Sequence, residues 1–297
     1  MLGKGIPIGF KAPGPYDVGF LLVGGGGGAC RVIGSAFQAG GGGAGGLKTS
    51  YGSVSGGQST PKPVLNFLRD GTTYTITIGG AGGLGSTGNI GSSGTGSSIV
   101  SSTAGTLHSV SGGGRGSKQS SAAPGSGGSG GGASGYTGQP GSYLTPGSGI
   151  ADEGHSGGTS TSSYSGGGGG GAGAAGNDLH GGSGLAVNIL NTTNATTASI
   201  GEVSGSDTYY SGGAKSYNGG RGIGGTSASN SSYASANSGA GSAVSAGYNQ
   251  PNRGGSGVVV LRMPSSGYSG VTTGNPDVYT EGSDTILVYK SSGTYVD

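Results

Sequence analysis

Glycine constrains this chain more than any other feature, because it occurs in uninterrupted runs. The runs cover residues 24–28, 40–43, 130–132 and 166–171, and 80 of the 297 residues are glycine. Glycine has no side chain to bury, and it loses more backbone entropy on folding than any other residue. A chain built in this way is therefore either disordered or packed backbone against backbone.

The charge and the aromatic content favour order. Only 8% of the residues are charged and the formal net charge is +2, so like-charge repulsion does not hold the chain open. The 15 tyrosines and several β-branched clusters are features that flexible Gly/Ser linkers lack. We therefore expect most of the chain to be ordered.

The backbone must supply much of the cohesion, because hydrophobic residues make up only 30% of the chain. Polyglycine can form an extended threefold helix, polyglycine II, which rises about 3.1 Å per residue and has no internal hydrogen bonds. Several such helices can bond N–H to C=O side by side, since no Cβ keeps them apart, and each buried amide then finds a partner. Collagen is excluded, because it needs a strict Gly-X-Y period and abundant proline, and this chain has 11 prolines.

Apolar segments between the glycine runs predict β-strands. Residues 18–23 and 258–263 are almost continuously apolar, as in strands that are buried on both faces, and residues 72–78 alternate with the period of two of a half-buried strand. The best helical candidate is 63–70, one to two turns long, so we predict almost no α-helix. Shorter apolar segments lie at 98–100, 106–110, 185–189 and 209–210.

The composition divides the chain into three segments. Residues 1–16 form an extended N-terminal arm containing Ile6, Ile8 and Phe10, which is either a loose terminus or an attachment segment that docks on a partner. Residues 17–263 form the glycine-rich body. Residues 264–297 contain less glycine and more strand-forming residues, which predicts a small C-terminal antiparallel β-meander. The predicted fold is mostly β and irregular, with β-strands framing packed polyglycine II-type helices.

Catalytic chemistry has little support in the sequence. His108, His155 and His180 lie in different segments, and the densest polar cluster, 152–155, is better explained as a solvated loop than as a metal site. Residues 80–85 fit G-x-G-x-x-G, but no helix can open at the third glycine, as a dinucleotide site requires. We therefore predict no enzyme activity, no catalytic or metal residues and no cofactor.

Other broad classes are also disfavoured. The longest apolar run is far too short for a membrane span, the small net charge gives no support to nucleic-acid binding, and the first residues do not predict a signal peptide. The single cysteine, Cys30, excludes an intrachain disulfide and is expected to be a small buried side chain.

Tyrosines in Gly/Ser/Asn-rich surroundings are candidate contact residues. Tyrosine combined with serine, glycine and asparagine is the composition of adaptable recognition loops. For any single tyrosine, the favoured interpretation is that the ring covers an edge of the glycine layer; as a set, they predict a surface for a glycan or a protein. The candidates are Tyr136, Tyr143, Tyr164, Tyr209, Tyr210, Tyr217 and Tyr233.

The order of the motifs resembles a known family. The segments that carry the resemblance are 20–28, 71–79, 110–114, 257–262 and 288–294. In this order they resemble the glycine-rich domain found in tail and other virion proteins of tailed bacteriophages, including marine and cyanobacterial phages. The resemblance implies polyglycine helices framed by β-strands and a structural or host-recognition role without catalytic residues. The serine-rich stretches 117–129 and 156–165 depart from the family's denser glycine, and we expect them to be exposed loops.

The resemblance and the composition together predict a tail fibre or adhesin component. The arm 1–16 would attach it to other virion proteins, the tyrosine-containing loops would meet a host glycan or protein, and a homo-oligomer, preferably a trimer, is expected. The expected location is the virion, on the tail rather than the head. The alternatives are a head fibre, decoration or tail-assembly protein without receptor binding, an ice- or surface-binding protein, and an extracellular matrix chain.

Overall fold

The strands and rods of this chain form one continuous arrangement in the computed structural model. The structure describes residues 14–30, 39–83, 90–118, 122–135, 145–161, 166–216, 223, 234–244 and 253–297. Its helix is α1, Thr192–Ala198. The strands are β1 Tyr16–Val23, β2 Leu47–Thr49, β3 Leu65–Phe67, β4 Thr73–Thr77, β5 Ser97–Ser101, β6 Gly105–Val110, β7 Leu185–Ala186, β8 Glu202–Ser204, β9 Asp207–Tyr210, β10 Val258–Pro264, β11 Val271–Thr272, β12 Asp277–Glu281, β13 Asp284–Tyr289 and β14 Gly293–Val296.

The largest sheet has the antiparallel order β12-β13-β10-β1-β2, and β3 also pairs with β1. Its central strands β1 and β10 are in register, with Leu21 opposite Val260. Phe20 and Leu22 point to one face of this sheet and Leu21 and Val23 to the other, and all four are fully buried. Both faces are covered, which explains why these strands are nearly continuous apolar runs.

A second sheet, of order β11-β14-β4-β5-β6, packs on one face of the large sheet to form a β-sandwich. The period of two predicted for this segment is present in β4: Tyr74 and Ile76 are buried, whereas Thr75 and Thr77 are exposed. Phe67 of β3 stacks on Tyr74 with ring centroids 3.6 Å apart. The sandwich thus supplies the conventional hydrophobic core of the chain.

The other face of the large sheet is covered by α1 and a small sheet of order β7-β9-β8. The helix begins after Asn191, whose side chain accepts a hydrogen bond from the Asn194 amide, as an N-cap residue does. It buries Ala195 and Ala198 against the sheet. The helix ends at Ser199, which takes the left-handed conformation typical of a C-terminal cap.

The helical candidate at 63–70 is wrong, because this segment contains strand β3. Leu65 and Phe67 alternate inward with an exposed Asn66 between them, and β3 pairs with the start of β1. A pattern of two apolar residues is ambiguous in so short a segment. Here, long-range pairing with β1 decides in favour of a strand.

Most strands continue directly into an extended glycine-rich segment, which we call a rod. Strand β1 leads into rod 24–30, and rod 253–257 leads into β10. The sandwich and the rods are therefore successive parts of the same chain runs. The other rods that join strands are 39–46, 79–83, 91–96, 111–118, 181–184 and 211–216; further rods run at 127–133, 154–160, 166–172, 173–177 and 239–244.

Rod 24–28 has the period of three that is typical of polyglycine II. The first and fourth glycines donate to segment 43–46, at 2.9 and 2.8 Å, and the second and fifth donate to segment 92–95, at 3.0 and 2.9 Å. The third donates to the carbonyl of Gly255 at 2.9 Å. Its carbonyls accept from three further rods, through the amides of Gly82, Gly113, Gly116 and Ser242. The rod is therefore surrounded on all sides by other rods.

Two more glycine runs have the same surroundings. Rod 40–46 donates to 111–117, 167–170 and 239–242, and accepts from 24–27, 129–132 and 214. Rod 167–172 donates to 130–133, 174–177 and 211–214, and accepts from 41–44, 155–158 and 182. Each of these rods thus has neighbours in six directions, which is the hexagonal packing of parallel cylinders. The long glycine runs occupy the centres of this packing.

Glycine is required at these central positions because the backbones approach closely. A Cβ on Gly26 would lie 1.9 Å from the carbonyl oxygen of Ala240, and a Cβ on Gly169 would lie 1.9 Å from that of Gly42. At Gly80, on an exposed rod, the nearest atom would be the Thr95 hydroxyl at 3.6 Å. The requirement for glycine therefore falls from the centre of the rods to their surface.

The expectation that the serine-rich stretches are exposed loops is wrong for several of their residues. Ser117 and Ser129 are fully buried within rods, and Ser160 is also buried. The Ser129 amide donates to the carbonyl of Ala44 at 3.0 Å, as a glycine would. A rod tolerates serine where its Cβ points between neighbours. Residues 119–121 and 162–165 lie outside the described residues.

The predicted C-terminal antiparallel β-meander is confirmed in the strands after Pro264. Strands β12 and β13 form a hairpin, and its turn is Gly282-Ser283. Strand β13 also pairs with β10, and β14 crosses to pair with β4 of the second sheet. The predicted boundaries at 16/17 and 263/264 remain predictions.

Candidate functional site

The rods end together in what we call the tip, opposite the sandwich end. At the tip, the buried Ala29, Cys30, Ala39 and Val244 pack together with the half-buried Ile90. Rod residues rise about 3.1 Å each and strand residues about 3.3 Å, so the tip and the start of β1 are about 45 Å apart. The fold therefore has two chemically separate ends.

The tip is where several chain runs turn. Cys30 and Ala39, at the two sides of segment 31–38, pack in the same cluster. Rod 111–118 ends beside Ala39, where Ala39 and Lys118 form a β-bridge, and Lys118 also bridges Ala122 across segment 119–121. The described residues on both sides of segments 31–38 and 119–121 therefore lie together at the tip.

Most of the tyrosines predicted as contact residues fall on such connecting segments. The members of this group lie outside the described residues, so their role remains a prediction; they are Tyr136, Tyr143, Tyr164, Tyr217 and Tyr233. The described flanks of their segments include Gly135, Thr145, Thr161 and Gly166. A β-bridge between Ser134 and Gly166 brings two of these segments to neighbouring rod ends.

The two described candidates, Tyr209 and Tyr210, lie on β9, away from the tip. Tyr210 is fully buried in the core beside α1, its hydroxyl has no hydrogen-bond partner, and burial raises its pKa. Its side chain is therefore not available at the surface. Tyr209 is half-buried and alternates with Tyr210 to the opposite side of the strand.

The arm predicted to attach the chain begins at the sandwich end. Ile6, Ile8 and Phe10 lie outside the described residues, and the described chain begins at Gly14, just before β1. Tyr16, the first residue of β1, shares a hydroxyl–hydroxyl hydrogen bond of 2.8 Å with Tyr295 of β14. Both ends of the described chain are thus fixed in the sandwich, about a rod length from the tip.

Basic side chains are a feature of the tip that the sequence reasoning did not single out. Arg115 and Lys118 lie on one rod, and Lys215 and Arg253 on two others. Arg253 is exposed and the other three are half-buried. The sequence signal was available: these residues interrupt or border glycine runs, as in the segments GGGRG, GGAK and NRGG.

The basic residues surround the buried cluster of the tip. The Lys215 carbonyl accepts a hydrogen bond from Val244, a member of that cluster, at 3.5 Å. Burial raises the pKa of the Cys30 thiol, while the positive charges of Lys118 and Arg115 act in the opposite direction. Cys30 is buried, as the sequence predicted, and its Sγ donates to the Gly116 carbonyl at 3.2 Å.

The sandwich end differs in its electrostatics, because four of its basic residues form ion pairs, whereas Arg69 donates to the Ser266 carbonyl. The shortest links are Lys290 to Asp277 at 2.7 Å and Arg262 to Asp284 at 2.8 Å. Lys48 also pairs with the buried Glu153 at 3.1 Å, and Lys62 with Asp152 at 3.0 Å. By contrast, no ion pair joins Arg115, Lys215 or Arg253 to an acidic side chain within the described part of the chain.

A shallow cavity of about 340 Å³ lies beside β7 and the loop after β2, lined by Tyr51, Val54, Asn188 and Asp207 among others. The Asn188 amide donates to Asp207 at 2.7 Å, so its polar groups already bond to each other. In the described ranges, no group of histidine, cysteine and acidic residues could hold a metal ion. Nor does any described helix have the length and apolarity needed to cross a membrane.

A family model described as a glycine-rich domain matches residues 10–264. The search of curated proteins and the search of solved structures found no match to the chain. The matched range begins before β1 and ends at the last residue of β10, so it includes all the rods.

Proposed function

The chain belongs to the glycine-rich domain family, and from this premise and the polarity of its fold we propose that it is a structural virion protein of a tailed bacteriophage. Within the virion, we propose that it is a tail fibre or adhesin component that contacts the host surface. The rods would act as a spacer, the sandwich end as the attachment side and the tip as the contact side.

The observation that carries this proposal is the separation of the two ends. The described chain begins at Gly14, at the sandwich end, whereas the residues that flank segment 31–38 lie at the tip. An adhesin needs this polarity, since one end must bind the particle while the other reaches the host. The five tyrosines of the connecting segments remain the candidate contacts with a host glycan or protein.

The rods also suit an exposed position on a particle. Their amides and carbonyls bond to neighbouring rods, as in 24–28, so the buried backbone needs no water and no large side chains. The sheet edges of the sandwich end expose two valines, Val271 of β11 and Val278 of β12, with 55% and 50% of their surface accessible. This edge supports contact with other virion proteins or with copies of the chain in a trimer.

A purely structural role is the second candidate, and the same exposed edge favours it. A head fibre, a decoration protein or a tail-assembly protein would use the contacts of the sandwich end without binding a receptor. The ordered hydrogen bonding of the rods supports either role better than a disordered matrix chain. An ice-binding role would need threonine or alanine at every third rod position, which no long stretch of the sequence provides.

Immunogold electron microscopy of virions tests the proposal. An antibody against residues 264–297 would label the tail or its fibre tips of the source phage if the chain is a tail adhesin. Purified chain should then compete with the phage for adsorption to host cells. Label on the head would support the decoration role, and the absence of label on intact and disrupted particles would contradict both virion roles.

A further inference from the structure

We propose that the shallow cavity beside β7 binds one sugar residue of an uncharged glycan. The cavity lies where rods 39–46 and 181–184 continue into strands, and its lining consists of residues 51–54, 185–188 and Asp207. The site lies away from the tip and does not depend on a role in a virion, so it goes beyond the proposed function.

The pairing of β7 with β9 forms the polar side of the cavity. The two chains stay paired beyond the end of β7, because the Val187 amide donates to the Thr208 carbonyl at 2.9 Å. Asn188 therefore lies beside Asp207, and its side-chain nitrogen donates to Oδ1 of that carboxylate at 2.7 Å. The side-chain oxygen of Asn188 accepts from the Thr208 amide at 2.9 Å. Asn188 is thus a positioning residue that fixes the carboxylate at the cavity.

The second carboxylate oxygen of Asp207 is left for a ligand. Within the described part of the chain, Oδ2 of Asp207 takes part in no hydrogen bond and no ion pair. A carboxylate only accepts hydrogen bonds, so a ligand at this oxygen must donate one. Hydroxyl and ammonium groups can do so, whereas a ligand carboxylate or phosphate would be repelled.

The rest of the lining is mainly apolar and includes one aromatic ring. Leu185 and Val187 are buried, and Val54 is half-buried. Tyr51 is exposed, and the guanidinium carbon of Arg262 lies 5.7 Å from the centre of its ring. A small cavity with apolar and aromatic walls and a single convergent polar group is the usual composition of a ligand site.

A sugar residue satisfies both kinds of wall. Its hydroxyls can donate to Asp207, and the C–H groups of its ring can lie against Tyr51 and the apolar side chains. An ammonium ligand fits less well, because the Arg262 guanidinium already supplies the cation at the Tyr51 ring. A wholly apolar ligand would bury the carboxylate without a partner. The volume of about 340 Å³ lies at the lower end of ligand cavities, which limits the ligand to one residue of a glycan.

The test is saturation-transfer-difference NMR on the purified full chain with the methyl glycosides of glucose, galactose, mannose and N-acetylglucosamine. A methyl glycoside represents a sugar residue within a chain, and the free sugars are measured beside it. We expect at least one glycoside to bind with a Kd on the order of 1 mM, with the strongest saturation on the C–H protons of its ring. The affinity should change less than about twofold between about 50 and 500 mM NaCl, because an uncharged ligand is not screened.

Three results would overturn the proposal. The first is the absence of binding by every glycoside, and the second is binding of the free sugars alone. The third is tighter binding of Nα-acetyl-lysine amide, a cation, than of any glycoside, because the Asp207 carboxylate would then serve an ammonium group.

Single variants locate the binding site. Asp207→Asn removes the free acceptor and keeps the shape, and Tyr51→Ala removes the ring, so each should lose at least about tenfold in affinity. Tyr51→Phe keeps the ring and should stay within about threefold of the parent chain. The matched control is Asp17→Asn, because Asp17 also accepts from an asparagine, Asn66, at 3.0 Å but lies on β1 outside the cavity.

An equal loss in Asp17→Asn, or unchanged affinity in both Asp207→Asn and Tyr51→Ala, would place the binding elsewhere and overturn the proposal. Thermal unfolding verifies that the variants fold. Tyr51→Ala, at an exposed side chain, keeps the test informative if Asp207→Asn does not fold. Labelling of virions tests the proposed function separately, so either proposal can fail without the other.

Discussion

Replacing a central rod glycine by alanine should strongly destabilise the chain, whereas the same change at the rod surface should not. The central position is Gly26, where the new Cβ would lie 1.9 Å from the Ala240 carbonyl oxygen; real Cβ atoms essentially never come within 3.0 Å of such an atom. The rods 24–28 and 239–244 would therefore have to separate by about 1 Å. The 2.9 Å hydrogen bond from Ser242 to Gly27 joins these two rods and would be lost.

The magnitude follows from two costs. Overpacking of a well-packed interior costs about 1–3 kcal/mol. Each buried donor or acceptor that loses its partner adds about 1–3 kcal/mol. The lost bond leaves one donor, the Ser242 amide, and one acceptor, the Gly27 carbonyl. Gly26→Ala should therefore lower the free energy of unfolding by about 3–9 kcal/mol, a large part of the roughly 5–15 kcal/mol that holds a domain together.

A graded series makes the argument quantitative. Gly125→Ala brings the new Cβ to 2.9 Å from the Arg115 amide nitrogen and should cost about 1–2 kcal/mol. Gly80→Ala meets nothing closer than 3.6 Å and should be neutral or stabilise by up to about 1 kcal/mol, because alanine restricts the unfolded chain.

Urea unfolding, followed by circular dichroism and tyrosine fluorescence, measures all three variants against the parent chain. A loss of stability that increases as the approach shortens would support the packed rods. If Gly26→Ala matched Gly80→Ala within about 1 kcal/mol, the close backbone packing inferred for the rods would be refuted.

Three further predictions concern single groups. Glu153→Gln should lower the free energy of unfolding by about 1–3 kcal/mol in urea titrations, because Lys48 loses its buried partner. The double variant Glu153→Gln/Lys48→Met should lose less stability than the sum of the losses of the two single variants. Burial lowers the pKa of His108 and of His155 below the ordinary 6.5, so the free energy of unfolding should be highest above pH 6.5 and should fall as the pH drops below that value. The urea midpoint at about pH 5.5 should therefore lie below the midpoint at about pH 8. In the double variant His108→Gln/His155→Gln, the difference between the two midpoints should be smaller. Tyr210→Phe removes a buried hydroxyl without a partner and should leave the melting temperature unchanged or raised; a drop of more than about 1 kcal/mol in stability would reveal a missing partner.

The sequence predicted the parts of the fold in which local pattern and final environment agree. The continuous apolar run at 18–23 and the alternation at 72–78 identified strands, because apolar residues occupy the positions that face the core in each strand. The glycine runs predicted polyglycine II packing, since no other ordered structure uses so much glycine without a strict period. These elements form the frame of the molecule.

The rest depended on contacts that the sequence does not display. Strand β3 exists because Leu65 and Phe67 meet β1, and α1 depends on the Asn191 cap and two buried alanines rather than on an apolar stripe. The placement of Arg115, Lys118, Lys215 and Arg253 towards the rod ends was also missed, because these residues are far apart in the chain and only the rod packing brings them to one end. Which rod lies beside which is a property of the whole assembly.

The neighbours of rod 24–28 have a consequence for biosynthesis. Its amides bond to segments 43–46 and 92–95, but the amide of Gly26 bonds to Gly255, which is made 229 residues later. The earliest rod therefore leaves the ribosome long before one of its own hydrogen-bond acceptors exists. Closing such long loops is entropically costly and slow. We expect the packing of this rod to be completed only after residue 255 has been made, so a cell that produces this chain must protect glycine-rich nascent segments from aggregation until then.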